Sequence, residues 1–151
     1  MADVLVIENG VLVECADKSA TSVVIPEGVT EIGKQAFKDC KSLSSVEIPS
    51  SVTAIGERAF WYCTSLTSVE IPSSVTKIGD YAFSHCESLS SVEIPSSVTV
   101  IGACAFECCT SLESVEFGGT VAQWKSVEKM SGWHYGFPAT TVKCSDGEAR
   151  L

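Results

Sequence analysis

The stretch SVEIPSSVT stands at residues 45–53, again at 68–76 and again at 91–99, identical in every letter. The stretches between the copies, GERAFWYC at 56–63, GDYAFSHC at 79–86 and GACAFECC at 102–109, share landmarks and differ elsewhere. Ile25, Ile48, Ile71 and Ile94, each followed by proline, are spaced 23 residues apart. The same step carries Val29, Val52, Val75 and Val98, then Ile32, Ile55, Ile78 and Ile101, and then Gly33, Gly56, Gly79 and Gly102. It also carries Phe37, Phe60, Phe83 and Phe106, Cys40, Cys63, Cys86 and Cys109, and Leu43, Leu66, Leu89 and Leu112. Four full units therefore run from about residue 23 to 114, and internal repetition governs the fold.

A unit this short cannot bury its apolar side alone, so consecutive units must stack with equivalent residues one above another. SVEIP alternates as a strand should, with Val69 and Ile71 inward and Ser68 and Glu70 outward. Stacked copies then form a parallel sheet with rungs about 4.8 Å apart. VTKIG at 75–79 reads as a second short strand ended by its glycine. In GERAFWYC the apolar Ala59, Phe60 and Cys63 have the spacing of a helical turn with one buried face. The complementary positions are expected to face water, and there the copies differ. Lys34, Gln35, Lys38 and Asp39 become Glu57, Arg58, Trp61 and Tyr62, then Asp80, Tyr81, Ser84 and His85, then Ala103, Cys104, Glu107 and Cys108.

Both ends depart from the period, as the ends of a stack must if its core is to be covered. Residues 4–15 are two apolar runs around Asn9-Gly10, a hairpin signal. After Gly118-Gly119, Thr120 and Gln123 form a capping box for a helix over about 121–130, with Trp124 and Val127 on one side. TTVKC at 140–144 adds a last strand before the Asp146-Gly147 turn. One domain is expected over residues 1–151, with caps at 1–22 and 115–151 and repeats at 23–114.

Charge excludes one class of partner. The chain has 19 acidic and 10 basic side chains, a formal charge of −9 and no segregated basic run, so no nucleic-acid partner is expected. No run approaches the roughly 20 apolar residues of a membrane span, and MADVLVIENG lacks the basic start and apolar core of an export signal, so a soluble protein without membrane insertion is expected.

The chemical candidates are few. Four of the eight cysteines fall on the repeat period beside Ala-Phe and read as a ladder of buried free thiols acting as small hydrophobes. Cys104 and Cys108 occupy varied positions, with His85 the counterpart of Cys108 one repeat earlier. A structural zinc site wants four ligands and the pattern offers no fourth, so neither metal nor cofactor is expected. Cys15 and Cys144 belong to the caps and carry no pattern. Glu47, Glu70, Glu93 and Glu116 would align as a solvated ridge of like charge, repelling by about 0.8 kcal/mol per adjacent pair in water. His85 and His134 pair with no nucleophile in a known motif and no phosphate-cradling loop is present, so an enzyme is not expected. What remains is the varied face: Trp, Tyr and Arg dominate interface energetics, and Trp61, Tyr62, Tyr81, Arg58 and His85 gather in the middle repeats, with 58 stacked beside 81 and 62 beside 85. The candidate ligand-binding set is Arg58, Trp61, Tyr62, Tyr81, Ser84, His85, Cys104, Glu107 and Cys108.

The unit SLxSVEIPSSVTxIGxxAFxxC resembles the BspA-like bacterial leucine-rich repeats, also called the Treponema pallidum type, in its length and its Ile-Pro, Ile-Gly, Ala-Phe and Cys landmarks. GTVAQWKSV and VKCSDG resemble the ending of many such proteins. The resemblance implies a curved solenoid, usually from exported or surface proteins that bind host or microbial partners and are not usually enzymes. The expected fold is an α/β leucine-rich repeat solenoid, right-handed, with four repeats, an N-terminal hairpin cap and a C-terminal helix-plus-strand cap. The expected function is non-catalytic recognition of a protein or glycan, as in bacterial surface adhesion proteins. The competing expectation is a structural scaffold, natural or engineered, with no dedicated ligand. Verbatim copies fit recent duplication or consensus engineering.

Overall fold

The structure, a computed structural model, describes residues 4–151; the first three residues of the N-terminal cap lie outside them. The chain opens with β1 (Leu5–Glu8) and β2 (Val11–Cys15). The repeats supply β3 (Ser22–Val24), β4 (Glu31–Ile32), β5 (Ser45–Glu47), β6 (Ala54–Ile55), β7 (Ser68–Glu70) and β8 (Lys77–Ile78). Next come β9 (Ser91–Ile94), β10 (Val100–Ile101) and β11 (Ser114–Phe117). The C-terminal cap contains α1 (Val121–Ser126), β12 (Glu128–Lys129), β13 (Thr141–Cys144) and β14 (Gly147–Arg150).

These strands form two columns. The Ile-Gly strands stack in the order β1-β2-β4-β6-β8-β10-β12, all parallel except the β1–β2 hairpin. The Ile-Pro strands stack as β3-β5 and as β7-β9-β11-β13-β14, parallel until β14 turns back on β13. Register runs residue for residue, Val69 on Val92 on Val115, as the 23-residue period requires. The solenoid has about six turns rather than the expected four, because the caps continue the stack. β2 takes the place of an Ile-Gly strand below β4, and β12 and β13 add a rung to each column above β10 and β11. Asn9 (φ 51°) and Gly10 (φ 79°) make the tight turn that brings β1 onto β2.

The core is a set of vertical columns. Phe37, Phe60, Phe83 and Phe106 are fully buried, and their rings stack at 5.0, 5.1 and 5.1 Å with planes within 6° of parallel. Trp133 closes the pile edge-on to Phe106 at 6.4 Å. Cys40, Cys63, Cys86 and Cys109 form the neighbouring column, but they are more than small hydrophobes. The Cys63, Cys86 and Cys109 thiols donate to the carbonyls of Phe37, Phe60 and Phe83 at 3.1, 3.2 and 3.1 Å, tying each repeat to the one before. Burial pushes the Cys40 and Cys109 thiols up to about 12 and raises those of Cys63 and Cys86 too. Cys15, which has no counterpart on the period, is buried in the hairpin; its N–H donates to Ala36 O at 2.7 Å, as the Phe37 N–H does to Ala59 O one repeat on.

The expected helical turn is not a helix, and the fold is a β-solenoid with little helix rather than α/β. Along 58–63, alternate N–H groups bond in different directions. Ala59, Trp61 and Cys63 donate three residues back, to Gly56 O, Arg58 O and Phe60 O at 3.2 Å each. Arg58, Phe60 and Tyr62 instead donate to Asp80 O, Ala82 O and Ser84 O of the next repeat, at 2.9, 2.7 and 3.0 Å. Turning every second N–H outward requires left-handed backbone twice per repeat, at Gln35 and Asp39, Arg58 and Tyr62, Tyr81 and His85, Cys104 and Cys108, with φ between 53° and 61°. The turn segments thus make a third inter-repeat ladder. The i, i+1, i+4 apolar spacing suits this chain of tight turns as well as it suits a helix.

In the C-terminal cap, α1 carries the expected capping box: Gln123 N–H donates to Thr120 Oγ1 at 3.1 Å and Thr120 N–H to Gln123 Oε1 at 2.8 Å. It ends at Ser126, four residues short of expectation, because the next strand competes for the same backbone. Glu128 N–H bonds Thr99 O and Met130 N–H bonds Ile101 O, both at 2.9 Å.

Candidate functional site

The varied side chains lie on the turn face, and their backbone is fixed before any ligand arrives by the ladder just described. Arg58 and Tyr81 occupy the same left-handed position in adjacent repeats, which sets the guanidinium 4.7 Å from the Tyr81 ring centre. Tyr62 and His85 share the other left-handed position, and their rings stack at 4.3 Å and 4°. Both expected pairings, 58 with 81 and 62 with 85, are formed. Trp61 stands edge-on to Tyr62 at 4.6 Å, with Lys38 at 5.3 Å and Arg58 at 5.8 Å from its ring. Glu57 ties the cluster to the preceding repeat through Lys34 at 3.2 Å and Arg58 at 3.3 Å.

The face is less exposed than its sequence suggests. Arg58, Trp61, Tyr62, Tyr81, His85, Cys104, Glu107 and Cys108 are half-buried rather than fully in water, because residues on successive rungs cover one another. Ser84 departs furthest: it is 0% exposed, not outward. It is the small member of a column between Trp61 and Glu107, and its hydroxyl donates to Glu107 Oε2 at 3.1 Å. Ser84 therefore positions Glu107 and offers no surface of its own.

Toward the C-terminal end the chemistry changes. The Tyr81 phenol is raised above its ordinary value chiefly by its hydrogen bond with the Cys104 thiol, and burial raises the Cys108 thiol with Glu107 and Glu87 adding to it. Cys104 and Cys108 also lie against the cap, where a side chain at Gly132 or Gly136 would meet their sulfurs at 3.2 and 3.4 Å. Among the described residues no three His, Cys, Asp or Glu side chains converge as metal ligands: Cys108 is the register partner of His85, whereas Cys104 stands beside Tyr81. The glutamate ridge forms in register, Glu70 on Glu93 on Glu116, all exposed, and Lys143 on β13 ends it.

Two features had little sequence signal. At the N-terminal end a groove of about 750 Å³ lies between β1 and β3, lined by Val4 to Ile7, Ser22 to Val24 and Pro26. Its clue is Val24, 66% exposed where the later copies hold the ridge glutamate. The second is the left-handed backbone, occupied by Gln, Asp, Arg, Tyr, His and Cys and so invisible to a search for Gly or Asn.

Known proteins match this geometry. A crystal structure of a T. pallidum leucine-rich repeat protein superposes with a TM-score of 0.73 at 34% identity over 83% of this chain. A leucine-rich repeat protein from Bacteroides ovatus ATCC 8483 superposes with a TM-score of 0.57 at 26% identity over 80% of it. The chain spans only 58% and 38% of those two proteins. No curated protein matches it. The repeat pattern described as the BspA type leucine-rich repeat region matches residues 12–127 in six copies, the same count as the turns of the solenoid, and the chain belongs to that family.

Proposed function

We propose that the chain is a non-catalytic recognition module that presents the turn face to a protein or glycan at the bacterial cell surface. The observation that carries this reading is the contiguous array of Arg58, Trp61, Tyr62 and Tyr81, four side chains of the kinds that anchor interfaces, with His85 stacked on Tyr62, all held half-exposed on a backbone already fixed by inter-repeat hydrogen bonds. Such a surface loses little conformational freedom on binding. Cys104, Glu107 and Cys108 form its C-terminal border. The surface location follows the family, whose members are typically non-catalytic. A pure scaffold is the second reading, favoured by the fact that each ring already has a partner within the cluster.

The test is a glycan array together with binding to intact host and bacterial cells, run with the wild-type chain and the Trp61→Ala/Tyr62→Ala double variant. Recognition predicts saturable binding that falls at least tenfold in the variant, with a stability loss of only about 1–2 kcal/mol from the lost ring contacts. A wild-type chain that binds nothing supports the scaffold instead, and a variant that binds as well as a binding wild type refutes the assignment of the site to the aromatic turn face.

A further inference from the structure

The Ile-Gly column reads Leu12, Ile32, Ile55, Ile78, Ile101 and then, in the same register, Lys129. The five apolar members are at most 1% exposed; the sixth is a half-buried lysine. Its stem can prolong an apolar column, but its ammonium must find acceptors. Two are present at the C-terminal end of α1: Nζ donates to Trp124 O at 2.7 Å, an oxygen that also accepts from the Val127 N–H at 3.1 Å, and to Val127 O at 2.9 Å, and it lies 4.4 Å from the Trp124 ring centre. An ammonium has three N–H groups, so one remains.

Lys129 borders a cleft of about 490 Å³ between α1 and β14. Lys125 and Arg150 line it as well, with Glu148 the one carboxylate, while Val121, Trp124 and Ala149 make an apolar wall. Three of the ten basic residues of an otherwise acidic chain thus meet in one cleft. Among the described residues none of the three has an ion-pair partner. Burial lowers the Lys129 ammonium from its usual value, so this cation is partly stripped of water without a counter-charge.

We propose that the cleft binds a carboxylate carried on an apolar body, the carboxylate meeting Lys129 and Arg150 and the body packing on Val121, Trp124 and Ala149. The planar fork of Arg150 matches a carboxylate, and the apolar wall would be wasted on a small hydrated anion such as phosphate. The cleft is separate in sequence and position from the aromatic turn face and stands whether or not that face binds a partner.

The experiment follows the Trp124 indole N–H by NMR while the intact chain is titrated with N-acetylleucine, N-acetylleucinamide and inorganic phosphate. N-acetylleucine should saturate with a Kd of about 1–5 mM, weaken as NaCl rises, and bind at least threefold more weakly to Arg150→Gln; the amide and phosphate should not saturate. Lys129→Met should abolish binding; because it also removes a cap, the exposed Arg150→Gln variant, checked for an unchanged circular dichroism spectrum, is the decisive one. Equal binding of the amide, tighter binding of phosphate, an unchanged Kd in Arg150→Gln, or no saturation by about 50 mM N-acetylleucine overturns the proposal.

Discussion

Replacing Gly79 by alanine isolates the contact that sets the rise of the solenoid. Gly79 is not in a left-handed conformation, so by backbone preference alone alanine should stabilise the chain by about 0.4–1 kcal/mol, through the lower entropy of the unfolded state. Packing gives the opposite sign. A Cβ at Gly79 would lie 2.8 Å from Glu57 N and Gly56 C and 2.9 Å from Ile55 O, all backbone of the preceding repeat. Carbon atoms settle at about 3.5–4.0 Å, so the two repeats would have to part by roughly 0.7 Å. They are held by Gly79 N–H to Ile55 O at 2.8 Å and Thr76 N–H to Thr53 O at 2.9 Å. That opening would stretch both bonds to the limit of useful geometry, costing about 0.5–1.5 kcal/mol each, and overpacking strain adds about 1–3 kcal/mol. Set against the entropic gain, the net expectation is a loss of about 1–5.5 kcal/mol, read as a fall in the urea midpoint at unchanged m, with the neighbouring exposed Lys77→Ala within about 0.5 kcal/mol of wild type. A Gly79→Ala chain as stable as wild type, or more so, would refute the close-approach account and leave the glycines as simple strand terminators.

Phe83→Ala should cost more than Phe37→Ala by about 0.5–1.5 kcal/mol, since Phe83 loses two stacked rings at 5.1 Å and Phe37 one at 5.0 Å; chemical denaturation of the pair checks this. At Gln35, φ 61°, glycine should stabilise by up to about 1 kcal/mol and valine destabilise by about 1 kcal/mol or more, opposite signs in thermal melts that would not arise in a helical turn. The thiols of Cys40 and Cys109, raised to about 12, keep their protons in the folded chain while unfolded thiols ionise from about pH 8.5, so the unfolded state binds fewer protons above that pH and stability must fall as pH rises toward 12. Urea midpoints between pH 8 and 11 should show this decline, and Cys109→Ala should flatten it.

The strand columns, phenylalanine pile, capping box and hairpin cap were legible in the sequence because each leaves a local or periodic mark: alternation in SVEIP, a 23-residue step, Thr120 with Gln123, Asn9-Gly10. The number of turns did not follow from the 23-residue step, although the family's repeat pattern finds six copies. β2 and β12 pair by backbone register, and their sequences, VLVEC and EK, share no landmark with the repeats they prolong. The helical reading failed for a similar reason, since the bonds that turn 58–63 away from a helix go to residues 22 positions ahead, where a local window does not look. At the candidate site the pairing of Arg58 with Tyr81 and of Tyr62 with His85 followed from the period alone. The burial of Ser84 did not, because it depends on the size of Trp61 and Glu107 above and below it.

Verbatim strands beside varied turns are what this stacking requires. In SVEIPSSVT nearly every residue meets its own copy: valine packs on valine, the second serine of each Pro-Ser-Ser donates across the repeat, Ser74 to Val52 O at 2.5 Å and Ser97 to Val75 O at 2.7 Å, and each threonine donates to the threonine below. A change in one copy must suit two neighbours, so substitutions there are doubly constrained. Identical copies carry a hazard of their own. A chain that loops out one whole repeat and pairs the next in its place satisfies every strand contact equally well, and the landscape offers two near-degenerate registers. Contacts on the turn face remove that degeneracy, since Arg58 with Tyr81 and Tyr62 with His85 form only when consecutive repeats sit in sequence order, whereas Lys34 would meet Asp80 in place of Glu57 and neither gain nor lose by the slip. Skipping the second repeat would set Gln35 against Tyr81 and Asp39 against His85, with neither stack formed. The variation on that face therefore specifies the order of the repeats whether or not it also meets a partner.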